Sequence, residues 1–225
     1  MRAPYETRHE AGENIAAHRH EHAYAALVLA GRYEEAGPDG VWACEAGEVI
    51  VHPPFHLHLN RFGFGDARVL NFTLPHDLAL ALGVADYAVI RVGDPGRVAR
   101  CAHTQDALRE ALIGAEERMR PAPADWLDEL AVRLADDPRH RIGALARLAG
   151  VTPEHATRAF TRRFGLRPAA FRAEQRLRRA LRQLPRAGAL AEIAVASGFA
   201  DQAHFTRALR GATGESPLRL RARLS

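Results

Sequence analysis

The sequence has no lysine, and all 31 of its basic residues are arginine. It has only two cysteines, Cys44 and Cys101, which are too few for a disulfide framework. No apolar run is long enough to cross a bilayer, and the N-terminus has no charged-then-apolar leader. These absences predict a cytoplasmic protein with reduced thiols and no membrane partner.

Patterns typical of enzymes are also scarce. No Ser-His-Asp, Cys-His or paired-carboxylate arrangement stands out, and the glycine-rich stretch GFGDAR (63–68) lacks the spacing and the lysine of a phosphate-binding loop. We therefore do not expect an enzyme.

Charge is divided unequally along the 225 residues, although the net charge is only +4. Residues 1–139 carry 14 Arg and 22 Asp or Glu, a net charge of −8, whereas residues 140–225 carry 17 Arg and 5 acidic residues, a net charge of +12. A basic C-terminal segment beside an acidic remainder predicts a polyanionic partner for the C-terminal segment alone.

Residues 1–95 predict a small antiparallel sandwich or barrel, because short apolar or alternating runs are separated there by Gly, Pro and Asp. The runs are AYAALVLAGRY, VWACEAGEVIVHPP, RVLNFTLP and YAVIRVG, and GPDG (37–40) predicts a hairpin loop. Residues 96–137 change to a helical period, with one stripe that ends near Arg120 and a second helix capped by Asp125. We expect these helices to connect the domains and form a homodimer; the alternative is that they only pack on the barrel.

Residues 138–225 are predicted to be helical throughout and contain an internal repeat. LARLAGVTPEHATRAF matches IAVASGFADQAHFTRAL, so that Thr157-Arg158-Ala159 recurs 49 residues later. Each copy has a short helix, a glycine turn and a second helix with a predicted cap, Thr152 or Asp201. The repeat predicts two helix-turn-helix motifs, at 143–164 and 190–211. The amphipathic helix of 167–184 separates them by roughly 24 Å, a spacing suited to successive major grooves.

The pattern LARLAGVT…TRAFTRRFG…P…RLRRAL…EIAVASGF, followed by DQAHFTRAL and TGESP, resembles the DNA-binding domain of the AraC family of transcription regulators. The resemblance covers residues 138–222 and implies sequence-specific binding of double-stranded DNA, with activation of transcription and RNA polymerase as a further candidate partner. The candidate base-reading residues that it implies are Glu154, Thr157, Arg158, Gln202, Ala203, Thr206 and Arg207. The candidate phosphate contacts are Arg162, Arg163, Arg172 and Arg210, for each of which the alternative is an ordinary solvent-exposed charge.

Six of the 12 histidines are concentrated in the N-terminal region, at 18, 20, 22, 52, 56 and 58. Alternation along a strand predicts that His18, His20 and His22 share one face, and that a second strand carrying His56 and His58 lies opposite across the barrel. Imidazole nitrogens suit Zn²⁺ or Ni²⁺. The candidate metal site is therefore His18, His20 and His58, with His22 or His56 as a further ligand. The alternatives are an effector pocket lined by these side chains, or barrel histidines that are hydrogen-bonded to the backbone.

The same region resembles a cupin barrel, a common sensor domain of AraC-type regulators. Gly12-x5-His18-x-His20 matches the first cupin motif, and Gly47-x5-Pro53 with His58 matches the second. Tyr24 stands where metal-binding cupins carry a glutamate ligand, and Phe55 replaces a glycine.

The predicted fold is therefore α+β, with a cupin-like barrel at 1–95, connecting helices at 96–137 and an all-α DNA-binding domain at 138–225. The predicted function is a DNA-binding transcription regulator whose barrel senses a small molecule or a metal ion. The alternative function is a cupin-type metalloenzyme fused to a DNA-binding module.

Overall fold

The computed structural model describes residues 3–74, 78, 86–112, 114–119, 122–137, 140–186 and 188–224. The chain divides into two compact units, which we call unit 1 (Met1–Pro121) and unit 2 (Ala122–Ser225). No helix in the described ranges is long and apolar enough to cross a membrane.

The described part of unit 1 is mainly antiparallel β-structure, as the sequence predicts. Its strands are β1 Tyr5–His9, β2 Asn14–Arg19, β3 Tyr24–Ala30, β4 Arg32–Gly37, β5 Gly40–Glu45, β6 Glu48–His52, β7 Leu57–Arg61, β8 Ala67–Thr73, β9 Ala88–Arg91 and β10 Glu116–Glu117. One sheet has the order β1-β8-β3-β6-β9-β10 and the other has the order β2-β7-β4-β5. β4 and β5 form the predicted hairpin, with Gly37 paired to Gly40.

Strand β3 is apolar along nearly its whole length because both of its faces are buried. Ala26 and Val28 belong to the core between the two sheets, together with Tyr33, Trp42 and Phe62. The alternate residues of β3, with side chains on the other face, join a second core that contains the helices of unit 1; these residues are Ala25 and Leu27. A strand covered on both sides loses the apolar–polar alternation of a half-exposed strand.

Two described helices of unit 1 pack on the outer face of the six-stranded sheet. They are α1 (Pro95–Cys101) and α2 (Gln105–Ala111), whose buried side chains include Val98 and Leu108. The single helical stripe ending near Arg120 is therefore wrong. Thr104 is extended and starts a new helix, and residues 116–117 form β10, which pairs with β9.

Unit 2 is helical throughout its described residues, as predicted. Its helices are α3 Trp126–Asp136, α4 Ile142–Leu148, α5 Pro153–Phe164, α6 Pro168–Gln183, α7 Leu190–Ala196, α8 Gln202–Thr213 and α9 Pro217–Leu224. The α+β fold, with cupin-like sheets followed by a helical region, is thereby confirmed.

The structure assigns the two predicted connecting segments to different units. Helices α1 and α2 belong to unit 1, whereas α3 belongs to unit 2 and packs on α5 and α6. The three-part division at 95/96 and 137/138 stays a prediction.

The predicted caps of the repeat are present. Thr152 accepts from the His155 amide at 3.2 Å, and Asp201 accepts from the His204 amide at 2.6 Å. Asp125 caps α3 in the same way by accepting from the Leu127 and Asp128 amides. A side-chain acceptor at this position satisfies a backbone N–H that has no partner inside the helix.

We expect Asp201→Ala to lower the free energy of unfolding of unit 2 by about 1 kcal/mol, because the N-cap of α8 is lost. Urea denaturation followed by circular dichroism measures the change. Asp201→Asn is the matched control, since an Asn side chain caps about as well as Asp. Equal losses in the two variants would show that the cap does not stabilise the domain.

Candidate functional site

The two helix-turn-helix second helices, α5 and α8, bury equivalent positions of the repeat. Helix α5 buries Ala156 and Phe160. Helix α8 buries Phe205 and Leu209, which lie 49 residues after Ala156 and Phe160 respectively. Both helices pack against α6. The two motifs therefore present the same helical face to solvent.

That exposed face carries most of the residues predicted to read bases. Glu154 and Arg158 are exposed on α5, and Gln202, Ala203 and Arg207 are exposed on α8. Thr157 and Thr206 are half-buried on the two helices, and the Thr157 hydroxyl donates to the Pro153 carbonyl at 2.8 Å. A hydroxyl oxygen that donates this way can still accept from a ligand. The roles of these residues in base recognition stay predictions.

The four arginines predicted to contact phosphates have different surroundings. Arg162 and Arg210 are exposed on their helices. Arg163 instead lies with its Nη2 atom 3.1 Å from both carboxylate oxygens of Asp128 in α3, and Arg172 donates to the His140 carbonyl at 2.8 Å. Arg163 and Arg172 thus have partners inside unit 2, and a phosphate would have to compete for them.

The predicted histidine ligands lie around the cavity of unit 1, but their strands are arranged differently from the prediction. Strands β2 and β7 are hydrogen-bonded neighbours in one sheet, and His18 is paired directly with His58. They do not face each other across the barrel, so that part of the prediction is wrong. Directly opposite residues on neighbouring strands have Cβ atoms about 5 Å apart, which brings the two imidazoles together.

A β-bulge also breaks the alternation on which the strand prediction depended. One extra residue lies in β2 between Ile15 and His18, and β2 ends at Arg19. A bulge redirects the side chains that follow it. His20 and His22 therefore lie beyond the strand, and His22 is exposed.

Two groups of three histidines have ring nitrogens within 4.8 Å of one another in the described residues. One is the predicted set of His18, His20 and His58; the other is His52, His56 and His58. His22 belongs to neither. The prediction that a buried histidine group could hold a metal ion is consistent with this arrangement, in which either set supplies three imidazole ligands.

A buried carboxylate that the sequence analysis did not single out organises the second group. Glu35 is 2% exposed, and its oxygens accept from His52 Nε2 at 3.0 and 3.1 Å and from Asn60 Nδ2 at 3.0 Å. Burial opposes its ionisation, but the neighbouring His52 and His58 hold the pKa of Glu35 well below its usual range. In the sequence, Glu34 and Glu35 stand in RYEEAG, which resembles a solvent-exposed turn. Only the strand pairing shows that Glu35 is the buried one.

Tyr24 and Phe55, the two departures from the cupin motifs, both lie at this site. The Tyr24 hydroxyl is 3.0 Å from His58 Nε2, and its ring stacks on His52. His58 Nδ1 donates to the His56 carbonyl, so Nε2 accepts from Tyr24. Phe55 has a φ of +60°, a left-handed conformation that explains why cupins favour glycine there.

Burial lowers the pKa of two histidines at the site, His58 and His20, below the usual range. It lowers the pKa of His58 to about 2, with His52 and His56 lowering it further and Glu35 opposing them. Burial and the neighbouring His18 lower the pKa of His20 to about 4. Neutral imidazoles have lone pairs available to a metal ion or to a ligand that donates hydrogen bonds.

The cavity itself has two parts that share Tyr5, His20, Tyr24 and Asn71. The inner part has a volume of about 130 Å³ and is also lined by His18, Glu35 and His58. The outer part has a volume of about 640 Å³ and opens to solvent beside His22 and Thr73. This arrangement gives a small ligand access to the histidines from outside.

Comparisons with known proteins bear mainly on unit 2. Residues 145–223 match the family model described as "Helix-turn-helix domain". The HTH-type transcriptional regulator GlxA of Rhizobium meliloti (strain 1021) is 41% identical over 81 residues, which are 36% of this chain and 25% of GlxA. Residues 145–223 are therefore similar to the helix-turn-helix domains of transcription regulators. The matched segment spans only a quarter of that curated relative.

Two solved structures are similar to this chain over different shares of its length. ToxT from Vibrio cholerae O395 is 10% identical, covering 99% of this chain and 98% of its own, with a TM-score of 0.45. An AraC-type DNA-binding regulator from Chromobacterium violaceum is 25% identical, covering 44% of this chain and 90% of its own, with a TM-score of 0.41.

We expect metal-free protein to lose stability in unit 1 as the pH falls from 6.5 to 5. An unfolded histidine binds a proton near pH 6.5, whereas folded His58 does not, so the unfolded state binds more protons in this window. The slope contributed by His58 approaches about 1.4 kcal/mol per pH unit. Chemical denaturation at a series of pH values measures it.

His58→Gln should flatten this slope, and the exposed His22→Gln is the matched control that should leave it unchanged. A wild-type unit 1 that gains stability on acidification would contradict the lowered pKa.

Proposed function

We propose that the chain is a sequence-specific DNA-binding transcription regulator. The observation that carries the proposal is the pair of equivalent exposed arginines, Arg158 on α5 and Arg207 on α8, in a helix-turn-helix domain. Two repeated helices with the same exposed face suit two segments of one major groove. The net charge of +12 on residues 140–225 supplies the attraction to phosphates that such binding needs.

The residue types on this face support direct reading of bases. Arg158 and Arg207 can each bond bidentately to guanine, and Gln202 can do so to adenine. Glu154 can accept from cytosine, and Ala203 can contact a thymine methyl group. Because the two motifs differ at these positions, we infer an asymmetric site in which each motif reads its own bases.

We further propose that unit 1 senses an effector in its histidine-lined cavity. The cavity opens to solvent, and its lining combines apolar side chains with the polar groups of His18, Glu35 and His58, features that suit a small ligand with polar groups or a metal ion.

Homodimerisation and contact with RNA polymerase stay predictions. Helices α1 and α2 bury their apolar side chains against the sheet of unit 1, which supports the alternative that they pack on the barrel. A dimer through their remaining faces would use charged residues such as Arg97, Arg100 and Arg109.

The test begins with selection of an operator from a random duplex library by the full chain. On that operator we expect Arg207→Ala to weaken binding by about 1–3 kcal/mol, with a smaller loss on random DNA. Electrophoretic mobility shifts or fluorescence anisotropy at a stated salt concentration measure both affinities.

Arg207→Lys is the informative control, because it keeps the positive charge but loses the planar fork that bonds guanine. It should retain the affinity for random DNA and lose most of the discrimination. Equal losses on operator and random DNA in Arg207→Ala would show that Arg207 contacts only phosphate. Failure of the wild-type chain to enrich any sequence would contradict the proposed function.

A further inference from the structure

We propose that His52, His56 and His58 form a binding site for one Zn²⁺ or Ni²⁺ ion, with Glu35 and Asp39 as its outer partners. The set predicted from the sequence also contained His58, with His56 as a possible further ligand. The new set adds His52 and leaves out His18 and His20. The proposal does not depend on DNA binding.

Two of these imidazoles are already hydrogen-bonded to carboxylates. His52 Nε2 lies 3.0 Å from Glu35 Oε1, and His56 Nε2 lies 2.6 Å from Asp39 Oδ2. A carboxylate accepts, so Nε2 carries a hydrogen in both rings, and Nδ1 on the opposite edge is the nitrogen left for another partner. Metal-binding histidines almost always donate their second nitrogen to a carboxylate or carbonyl in this way.

The Nδ1 atom of His52 is buried and needs a hydrogen-bond partner or a ligand. His52 is 1% exposed, and its Nδ1 atom has no hydrogen-bond partner in the described part of the chain. A buried polar atom without a hydrogen-bond partner destabilises the fold. The Tyr87 hydroxyl is buried nearby and also has no hydrogen-bond partner among the described residues, and its ring stacks on His56 at 4.8 Å. A bound ion and its water would satisfy both groups.

The three imidazole rings also lie close to one another. One ring nitrogen from each histidine lies within 4.8 Å of the other two, and the ring centroids are 4.5 to 5.6 Å apart. Nitrogens bound to one tetrahedral zinc at 2.0–2.1 Å lie about 3.3 Å apart, so the rings need to close by up to about 1.5 Å. His56 follows the loop residues Pro53 to Phe55, and the ion would also replace the Tyr24 hydrogen bond to His58.

The site also has negative charge close to the three imidazole rings. A divalent cation in a buried site is stable only when nearby negative charge offsets it. Glu35 and Asp39 supply two negative charges next to the histidine rings, so the centre would be neutral overall. The alternative ligands His18 and His20 are half-buried, and His18 Nδ1 lies 2.9 Å from a backbone carbonyl, that of Ala16, instead of a carboxylate.

The test uses the full chain without an affinity tag, stripped with a chelator and titrated separately with Zn²⁺ and Ni²⁺. We expect uptake of about one equivalent, measured by calorimetry and by elemental analysis after desalting. His52→Ala and His56→Ala should each weaken the affinity by more than tenfold. Asp39→Asn should weaken it by about 10–100-fold, because it removes only the outer partner.

His18→Ala and His20→Ala are the matched controls, and each should keep the wild-type affinity within about threefold. Circular dichroism and thermal unfolding of every variant establish that it is folded; if His52→Ala is not, His56→Ala and Asp39→Asn decide. Absence of uptake by the wild type overturns the proposal. Loss of binding in the His18 or His20 variants also overturns it, because it would assign the ion to the other set.

The readout is metal binding to the free protein, so it is independent of the DNA experiment. Retained operator binding by a protein that takes up no metal would overturn this inference and leave the proposed function intact.

Discussion

The interior of unit 1 is arranged around one buried negative charge, the carboxylate of Glu35. Removing a carboxylate from water costs several kcal/mol unless donors surround it, and His52 and Asn60 supply them. This requirement decides the tautomer of His52, because Nε2 has to carry the hydrogen. Nδ1 of His52 is then the buried ring nitrogen on the edge opposite Glu35. The chemistry available to the histidine cluster follows from the position of this charge.

Unit 2 depends on a different constraint, the register of its repeat. Phe160 and Leu209 are buried at equivalent places in α5 and α8, and Arg158 and Arg207 precede them by two residues. Residues two apart in a helix lie on nearly opposite faces. The packing that fixes the apolar side chains therefore presents both arginines to solvent. The distribution of charge and the distribution of buried residues are two consequences of the same pattern.

The sequence predicted unit 2 well and the histidine site only in part, for a physical reason. Caps such as Thr152 and Asp201, and the glycines after them, act within a few residues of where they stand, so a local pattern identifies them. The β2–β7 pairing joins residues 40 positions apart, and the bulge before His18 changes the direction of later side chains. Alternation along one strand contains neither fact. Glu35 was missed for the same reason, since its burial depends on which strands cover it.

The departures from the cupin pattern are connected through this site. Tyr24 stands where a metal-binding cupin carries a carboxylate, and its hydroxyl donates to His58 instead of binding an ion. The carboxylates of this chain come from other places: Glu35 lies on β4, and Asp39 lies in the loop that follows it. Their oxygens are hydrogen-bonded to His52 and His56. Since a buried cation follows the negative charge, moving the carboxylates moves the most favourable position for an ion toward the end of β6.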